Sequence, residues 1–288
     1  MKLHLLDATY ELFRAYHGVD AARAPDGREV GAVGGLIGTT LALLREPDVT
    51  HLAAATDHVI RSFRNDLYAD YKTEEGVPED LMAQFPLAER ALETIGVVVW
   101  RMTEFEADDA LATAAARFAG DVDEVVICTP DKDLAQCVVG TTVVQRDRRR
   151  KITYAEDGVR GKYGVSPASI PDWLALVGDS ADGYPGLPGW GEKSAALVLA
   201  RWAHLEGIPP DPARWEVQVR GADRLAATLR GGMEDALLFR RLATLRRDVP
   251  LAESLDDLRW RGVPREPWLA LCAELGFEKQ KDRPHRWA

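Results

Sequence analysis

The sequence predicts an α/β chain: a largely parallel sheet flanked by helices, followed by a helical second domain. Three observations predict this. Short apolar runs alternate with helical segments as far as Gly164, the pattern of parallel strands joined by crossovers. Each of four such runs delivers carboxylates just past its C-terminal end. Beyond Gly164 the strand-like runs give way to helices separated by glycine- and proline-rich turns.

Leu3-His4-Leu5-Leu6 is the first strand and ends at Asp7; Leu12 to Tyr16 follows as a helix or turn. Gly31 to Leu44 reads as a helix, and His51 to Thr56 as a second strand leading into Asp57. From Phe63 to Lys72 the pattern fits an amphipathic helix. There Arg61, Arg64 and Lys72 interleave with Phe63, Tyr68 and Tyr71, a mix that also suits phosphate contact and base stacking. A polar break at Gly76 and Pro78 precedes a helix from Glu79 to Ile95. Val97 to Trp100 is the third strand, and the Ala-rich run to Phe118 is a helix with Leu111, Ala115 and Phe118 near helical spacing. Val125 to Cys128 is the fourth strand, ending at Asp131 and Asp133. Strand-like Thr142–Val144 and Ile152–Tyr154 flank the basic run from Arg146 to Lys151, expected at an exposed hairpin tip.

In the second region Ser166-Pro167 opens a helix through Trp173 to Val177. Asp179 and Asp182 follow, then the glycine-rich turn Pro185 to Gly191 and a helix from Ala196 to Trp202. Gly189 and Gly191 permit close approach of the chain to a phosphate, and the second helix offers free N–H groups with Lys193 beside them. Pro209 to Pro212 is linker-like, Leu225 to Leu245 and Trp268 to Leu275 are helical, and the polar tail from Glu278 to Ala288 is expected to fray.

With 288 residues, 46% hydrophobic and 28% charged, the chain can bury one large core or two modest ones. The N-terminal apolar run is too short for a signal peptide, and no run is long enough to span a membrane, so a cytoplasmic protein is expected. Cys128, Cys137 and Cys272 form no C-x-x-C pair, which argues against a disulfide framework or a zinc site. A net charge of −10 at first argues against a nucleic-acid partner.

The acids, however, are concentrated. Glu106, Asp108 and Asp109 stand together at a strand-to-helix junction. Helix capping accounts for one or two of them and a divalent cation for the group; this segment alone leaves both open. In open parallel sheets ligands bind beyond the carboxyl ends of the strands, so acids after four strands favour metal binding.

Taken in order, these segments resemble the bacterial 5′ nucleases, the flap endonuclease and 5′–3′ exonuclease group that includes the N-terminal nuclease domain of DNA polymerase I. The motifs are Asp7-Ala8-Thr9 with Leu12 to Tyr16, Phe63-Arg64 with Tyr71-Lys72, Glu106 to Asp109, Asp131 to Leu134, Gly178 to Asp182 with Pro185 to Lys193, and Leu242 to Leu251. The resemblance covers nearly the whole chain. It implies a PIN-like catalytic domain over 1–164 with an arch region about 72–90. A helical C-terminal domain over 165–288 would carry a helix–three-turn–helix element, helix-hairpin-helix-like, about 170–202.

Carried over, the family's metal ligands fall on Asp7, Asp57, Glu106, Asp108, Asp109, Asp131, Asp133, Asp179 and Asp182. Without these nine acids the formal charge falls to −1, which leaves room for a basic DNA face. The implied cofactors are two or three Mg²⁺ or Mn²⁺ ions, with K⁺ at the helix–three-turn–helix hairpin. Lys72, Arg64, Asp131 and Asp108 are the expected catalytic residues. Arg14, Arg61, Arg64, Tyr71, Lys72, Gly186, Gly189, Gly191, Lys193 and Ser194 are the expected DNA contacts. The implied substrate is DNA with 5′ flaps, nicks, gaps or free 5′ ends, bound without sequence preference by a monomer, in replication and repair steps such as Okazaki fragment processing. No polymerase region follows Ala288, so a free-standing member is expected.

Four positions depart from the pattern: Ala8, Pro130 and Gly183 in the acid motifs, and Glu75 where relatives often carry arginine. Glu75 predicts a weaker clamp on the scissile phosphate with metal binding intact. Competing readings are a DNA-binding protein with weakened or lost catalysis, an RNA-cleaving PIN-type nuclease, and an aspartyl phosphatase at Asp7. Thr9 stands where that phosphatase would place its second acid.

Overall fold

The structure, a computed structural model, describes residues 1–288. The first half holds β1 (Lys2–Asp7), α1 (Ala8–Gly18), α2 (Gly31–Leu44), β2 (Val49–Asp57), α3 (Arg64–Leu67), α4 (Glu79–Met82), α5 (Phe85–Thr94), β3 (Val98–Met102), α6 (Ala107–Phe118) and β4 (Glu124–Cys128). The second half holds β5 (Val143–Asp147), β6 (Ile152–Tyr154), α7 (Glu156–Tyr163), α8 (Ile170–Val177), α9 (Glu192–Trp202), α10 (Ala222–Gly231), α11 (Met233–Ala243) and α12 (Arg265–Leu275). The chain divides into two compact units, each built from separated segments. Unit 1 is 1–60, 74–129 and 247–288; unit 2 is 61–73 and 130–246.

Unit 1 carries four parallel strands in the order β3-β2-β1-β4. Leu5 of β1 lies opposite Ala53 of β2 and Ile127 of β4, and Ala54 lies opposite Val99 of β3. Leu3, Leu5, Leu6, Ala53, Ala54, Ala55, Val125 and Ile127 are all inaccessible to solvent, as expected where helices cover both faces of a parallel sheet. The strand ends deliver Asp7 and Asp57 to the N-termini of helices: Asp7 is the N-cap of α1, and Asp57 accepts from the first residue of α6. Helix α6 packs across β1, β2 and β3.

Unit 2 is the short α3, the β5–β6 hairpin and the helices α7 to α11, around a core that includes Trp173, Leu174, Trp190, Trp215 and Phe239. Helices α8 and α9 are joined by the turn that holds Asp179 and Asp182. Its tightest point pairs Gly178 with Gly186: a Cβ on Gly186 (φ +69°) would lie 2.4 Å from the Gly178 nitrogen. Only glycine tolerates both that approach and that φ.

Several expected elements differ in detail. The helix expected from Glu79 to Ile95 is broken into α4 and α5 at Ala83-Gln84, because Pro86 in the first turn of α5 has no N–H and its ring clashes with a preceding carbonyl. The helix expected from Leu225 to Leu245 divides at Gly231-Gly232. Instead of an amphipathic helix, 63–72 contains the single turn α3. The tail does not fray. Trp268 Nε1 donates to the Lys281 carbonyl at 3.0 Å, and Val263 N–H to the Arg286 carbonyl at 3.0 Å, with Ala288 N–H returning to Val263 O. No helix is long and apolar enough to cross a membrane.

Candidate metal centre and nucleic-acid contacts

Four of the acids singled out above belong to unit 2. Asp133 opens a single 3₁₀ turn and its backbone N–H donates to Asp131 Oδ1 at 3.0 Å. Asp179 and Asp182 sit on the turn after α8, where Asp179 and Tyr184 exchange backbone hydrogen bonds of 2.8 and 3.1 Å. Carboxylate oxygens of Asp133, Asp179 and Asp182 lie within 4.8 Å of one another. Asp133 is buried, and its Oδ1 has no hydrogen-bond partner. Burial pushes the Asp133 carboxyl well above the ordinary range; the charges of Asp131, Asp182 and Asp179 push the same way, and Lys132 opposes them.

Two lysines face this cluster. Lys132 Nζ is 2.5 Å from Asp179 Oδ2, and Lys72 Nζ is 3.7 Å from Asp182 Oδ1. Burial alone would lower the Lys132 ammonium, but its hydrogen bond to Asp179 and the charges of Asp133 and Asp131 leave it above the ordinary lysine value. Lys72 is held by its backbone as well, donating to the Asp182 carbonyl at 3.1 Å. The same approach explains Gly183 (φ +85°), since a Cβ there would lie 2.2 Å from the Asp70 carbonyl oxygen. An all-carboxylate donor set with a buried, unpaired oxygen and mutual repulsion suits a hard divalent cation.

Five acids belong to unit 1, each at a strand-to-helix junction. Asp7 Oδ1 accepts from Tyr10 N–H and Oδ2 from Thr129 Oγ1, both at 2.8 Å. Asp57 Oδ1 accepts from Ala107 N–H at 2.7 Å, and its own N–H donates to Thr9 Oγ1 at 2.8 Å. Glu106 and Asp109 form a capping box, with Asp109 Oδ2 accepting from Glu106 N–H at 3.0 Å; Asp109 is fully buried. Capping therefore accounts for Asp109, and Asp108 is the half-buried member of the trio.

The expected DNA contacts separate into two groups. Arg61, Gly189, Gly191 and Lys193 are exposed, and Lys72 and Ser194 are half-buried. Ser194 Oγ accepts from Gly191 N–H at 3.0 Å at the start of α9. Arg14 is half-buried and paired with Glu11 on its own helix. Three others are corrected. The Tyr71 ring is 2% exposed and packs in the unit 2 core, so it presents no face to a base. Arg64 is 1% exposed; its Nε donates to the Leu242 carbonyl at 2.7 Å and Nη2 to the Thr244 carbonyl at 3.3 Å, which makes it a structural bracket. Gly186 is buried against Gly178.

Sequence reasoning missed Lys132 and Lys162. With Lys193, Tyr163, Trp173 and Glu192 they line a recess of about 490 Å³. Lys162 Nζ sits 4.7 Å from the centroids of both the Tyr154 and Tyr163 rings. Burial lowers its ammonium from the ordinary value. The position of Lys132 between Asp131 and Asp133 was an available signal; nothing local marked Lys162.

Comparison with known proteins places the chain in a family. Residues 2–164 match the model of the 5′-3′ exonuclease N-terminal resolvase-like domain, and residues 165–266 that of the 5′-3′ exonuclease C-terminal SAM fold. DNA polymerase I of Bacillus caldotenax is 34% identical over 282 residues, covering 96% of this chain and 32% of that protein. DNA polymerase I of Pseudomonas aeruginosa is 35% identical over 291 residues, covering 97% and 31%. The chain thus spans about a third of the length of these relatives. The fold matches the bacteriophage T5 D15 protein co-crystallised with metal ions, with a TM-score of 0.67 at 16% identity over 84% of this chain and 89% of that one. It also matches the T5 D15 flap endonuclease in a pseudo-enzyme-product complex with DNA and metal ions, with a TM-score of 0.64 at 17% identity over the same shares. The chain belongs to the 5′-3′ exonuclease family.

Proposed function

We propose that this chain hydrolyses phosphodiester bonds at the 5′ flaps and 5′ ends of DNA, with Mg²⁺ or Mn²⁺ as cofactor. The observation that carries the reading is the convergence of Asp133, Asp179 and Asp182 oxygens around a buried, unpaired carboxylate oxygen, with Lys132 and Lys72 beside them. Such a set repels itself unless a cation joins it. Asp133, Asp179 and Asp182 would hold one ion, with Asp131 alongside; Asp7, Asp57, Glu106 and Asp108 are the candidate ligands in unit 1 for a further ion. Bound divalent ions supply a water nucleophile at neutral pH and offset the charge that develops on the phosphate.

The chain's own residues do the rest. Lys72, placed by its backbone and by Asp182, is a cation for the scissile phosphate, and Lys132 holds the Asp179 carboxylate in orientation. Arg61, Gly189, Gly191, Lys193 and Ser194 bind the sugar-phosphate backbone and read no sequence. The α8–α9 turn is the helix–three-turn–helix grip, with K⁺ at its hairpin. The catalytic domain extends over 1–164, with its arch about 72–90, and the grip domain over 165–288. The physiological substrates are replication and repair intermediates such as Okazaki fragment ends.

The test is cleavage of a 5′-flapped duplex, and of its RNA-flapped counterpart, with Mg²⁺, Mn²⁺ or EDTA, beside Asp131→Ala. Metal-dependent cutting of the DNA flap near the junction, lost in the variant, is expected. Tight DNA binding with no cutting under any metal would favour the non-catalytic DNA-binding reading.

A further inference from the structure

Among the buried side-chain atoms that lack a hydrogen-bond partner are Asp133 Oδ1, Tyr184 OH and Gln145 Oε1. All three belong to residues tied to one acid cluster. Asp133 is a member of it. Tyr184 exchanges both backbone hydrogen bonds with Asp179. Gln145 donates through Nε2 to the Asp131 carbonyl. Elsewhere in unit 2 buried polar side chains are satisfied in the ordinary way, as when Trp215 Nε1 donates to the Pro209 carbonyl at 2.8 Å.

The Tyr184 hydroxyl is not explained by packing. Its ring stacks on Phe239, with centroids 5.6 Å apart and planes 21° apart, and the residue is 1% exposed. Phenylalanine would satisfy that contact equally, without the penalty of burying an unpaired hydroxyl. A phenol donates one hydrogen bond and accepts another, Asp133 Oδ1 and Gln145 Oε1 only accept, and water supplies donors to both. Hard divalent cations retain several of their waters when held by carboxylates, and the groups that bind those waters orient the site.

We infer that Tyr184 is a positioning residue of the divalent-cation centre: its hydroxyl hydrogen-bonds to the water shell of the ion held by Asp133, Asp179 and Asp182, and Gln145 Oε1 accepts from the same shell. The inference rests on the metal-binding reading above. Tyr184 does not touch the substrate; it acts through the ion's waters.

The test is Tyr184→Phe in the full chain, which keeps the ring on Phe239 and removes one oxygen. Mn²⁺ binding is followed by electron paramagnetic resonance of the free ion, and thermal unfolding is recorded in EDTA. Mn²⁺ affinity is expected to fall about tenfold, the lower end of what loss of a group supporting a metal site costs. The unfolding temperature in EDTA is expected to stay the same or rise. Wild-type Mn²⁺ affinity in the variant would overturn this inference and leave the metal centre standing. A lower unfolding temperature in EDTA would also overturn it, because the hydroxyl would then have a partner within the protein. Failure of the unsubstituted chain to bind Mn²⁺ would remove both.

Discussion

Arg64→Met tests whether this guanidinium serves the fold or the substrate. The side chain is 1% exposed and its Nε–H meets the Leu242 carbonyl at 2.7 Å, while the Nη2 contact to Thr244 is longer at 3.3 Å. A hydrogen bond to a charged group contributes about 1.5–3 kcal/mol, and a buried carbonyl left unpaired costs about 1–3 kcal/mol. Leu242 is buried, so its carbonyl has no easy access to water, whereas Thr244 is exposed and can recover a partner. Methionine refills the aliphatic stem and offsets part of this loss. The net cost is about 3 kcal/mol, which in chains of this size lowers the melting temperature by about 6–12 °C. Arg64→Lys should recover little, because an ammonium cannot present two donors in the guanidinium's fixed fork. The assay is calorimetry in EDTA, paired with flap-cleavage kinetics well below the melting temperature. An unchanged melting temperature with kcat/KM reduced more than tenfold would refute the bracket and make Arg64 a substrate contact.

Two further outcomes follow from the same geometry. Asp133→Asn should raise the melting temperature in EDTA at neutral pH and abolish the further rise that Mn²⁺ gives the unsubstituted chain. An acid whose folded pKa lies above its unfolded value takes up a proton on folding, so its stability is lost as pH climbs from the ordinary carboxylate range through the raised value. The advantage of the variant should therefore shrink as pH is lowered toward the carboxylate range, which a calorimetric pH series checks. Lys162→Met should weaken binding of flapped DNA and reduce the slope of log K against log salt by about 0.9, the signature of one lost phosphate contact; an unchanged slope in a fluorescence titration would place the recess off the DNA path.

The parallel sheet was legible because its strands are apolar on both faces, and the acids because turns after those strands carry them openly. Val97 to Trp100 and Val125 to Cys128 needed no partner to be read as strands. Asp133, Asp179 and Asp182 were legible as candidate ligands through their motifs, but that these three converge was not, because Asp133 lies far from the other two along the chain. The roles of Arg64 and Tyr71 were not. Their local pattern is that of a solvated basic-aromatic face, and what buries them is a core assembled from residues such as Leu242 and Tyr184, far along the chain. The tail misled for a similar reason: its polar composition hides main-chain bonds to Val263 and the anchor that Trp268 makes on Lys281. Gly183 was read as a departure from a motif, yet its positive φ and the Asp70 carbonyl leave no room for a side chain.

The threading of the two units has a consequence for synthesis on the ribosome. The segment 61–73 must wait for residues after 130 to emerge before its unit can close, and unit 1 is completed only by 247–288, which carry the buried Trp268 and Leu271. Once residues up to 246 have left the ribosome, every segment of the unit bearing Asp133, Asp179 and Asp182 is available, while the unit bearing Asp7 and Asp57 still lacks its last helix. The segments of unit 2 are thus all available before those of the unit that begins the chain, the reverse of the N-to-C order that contiguous domains follow.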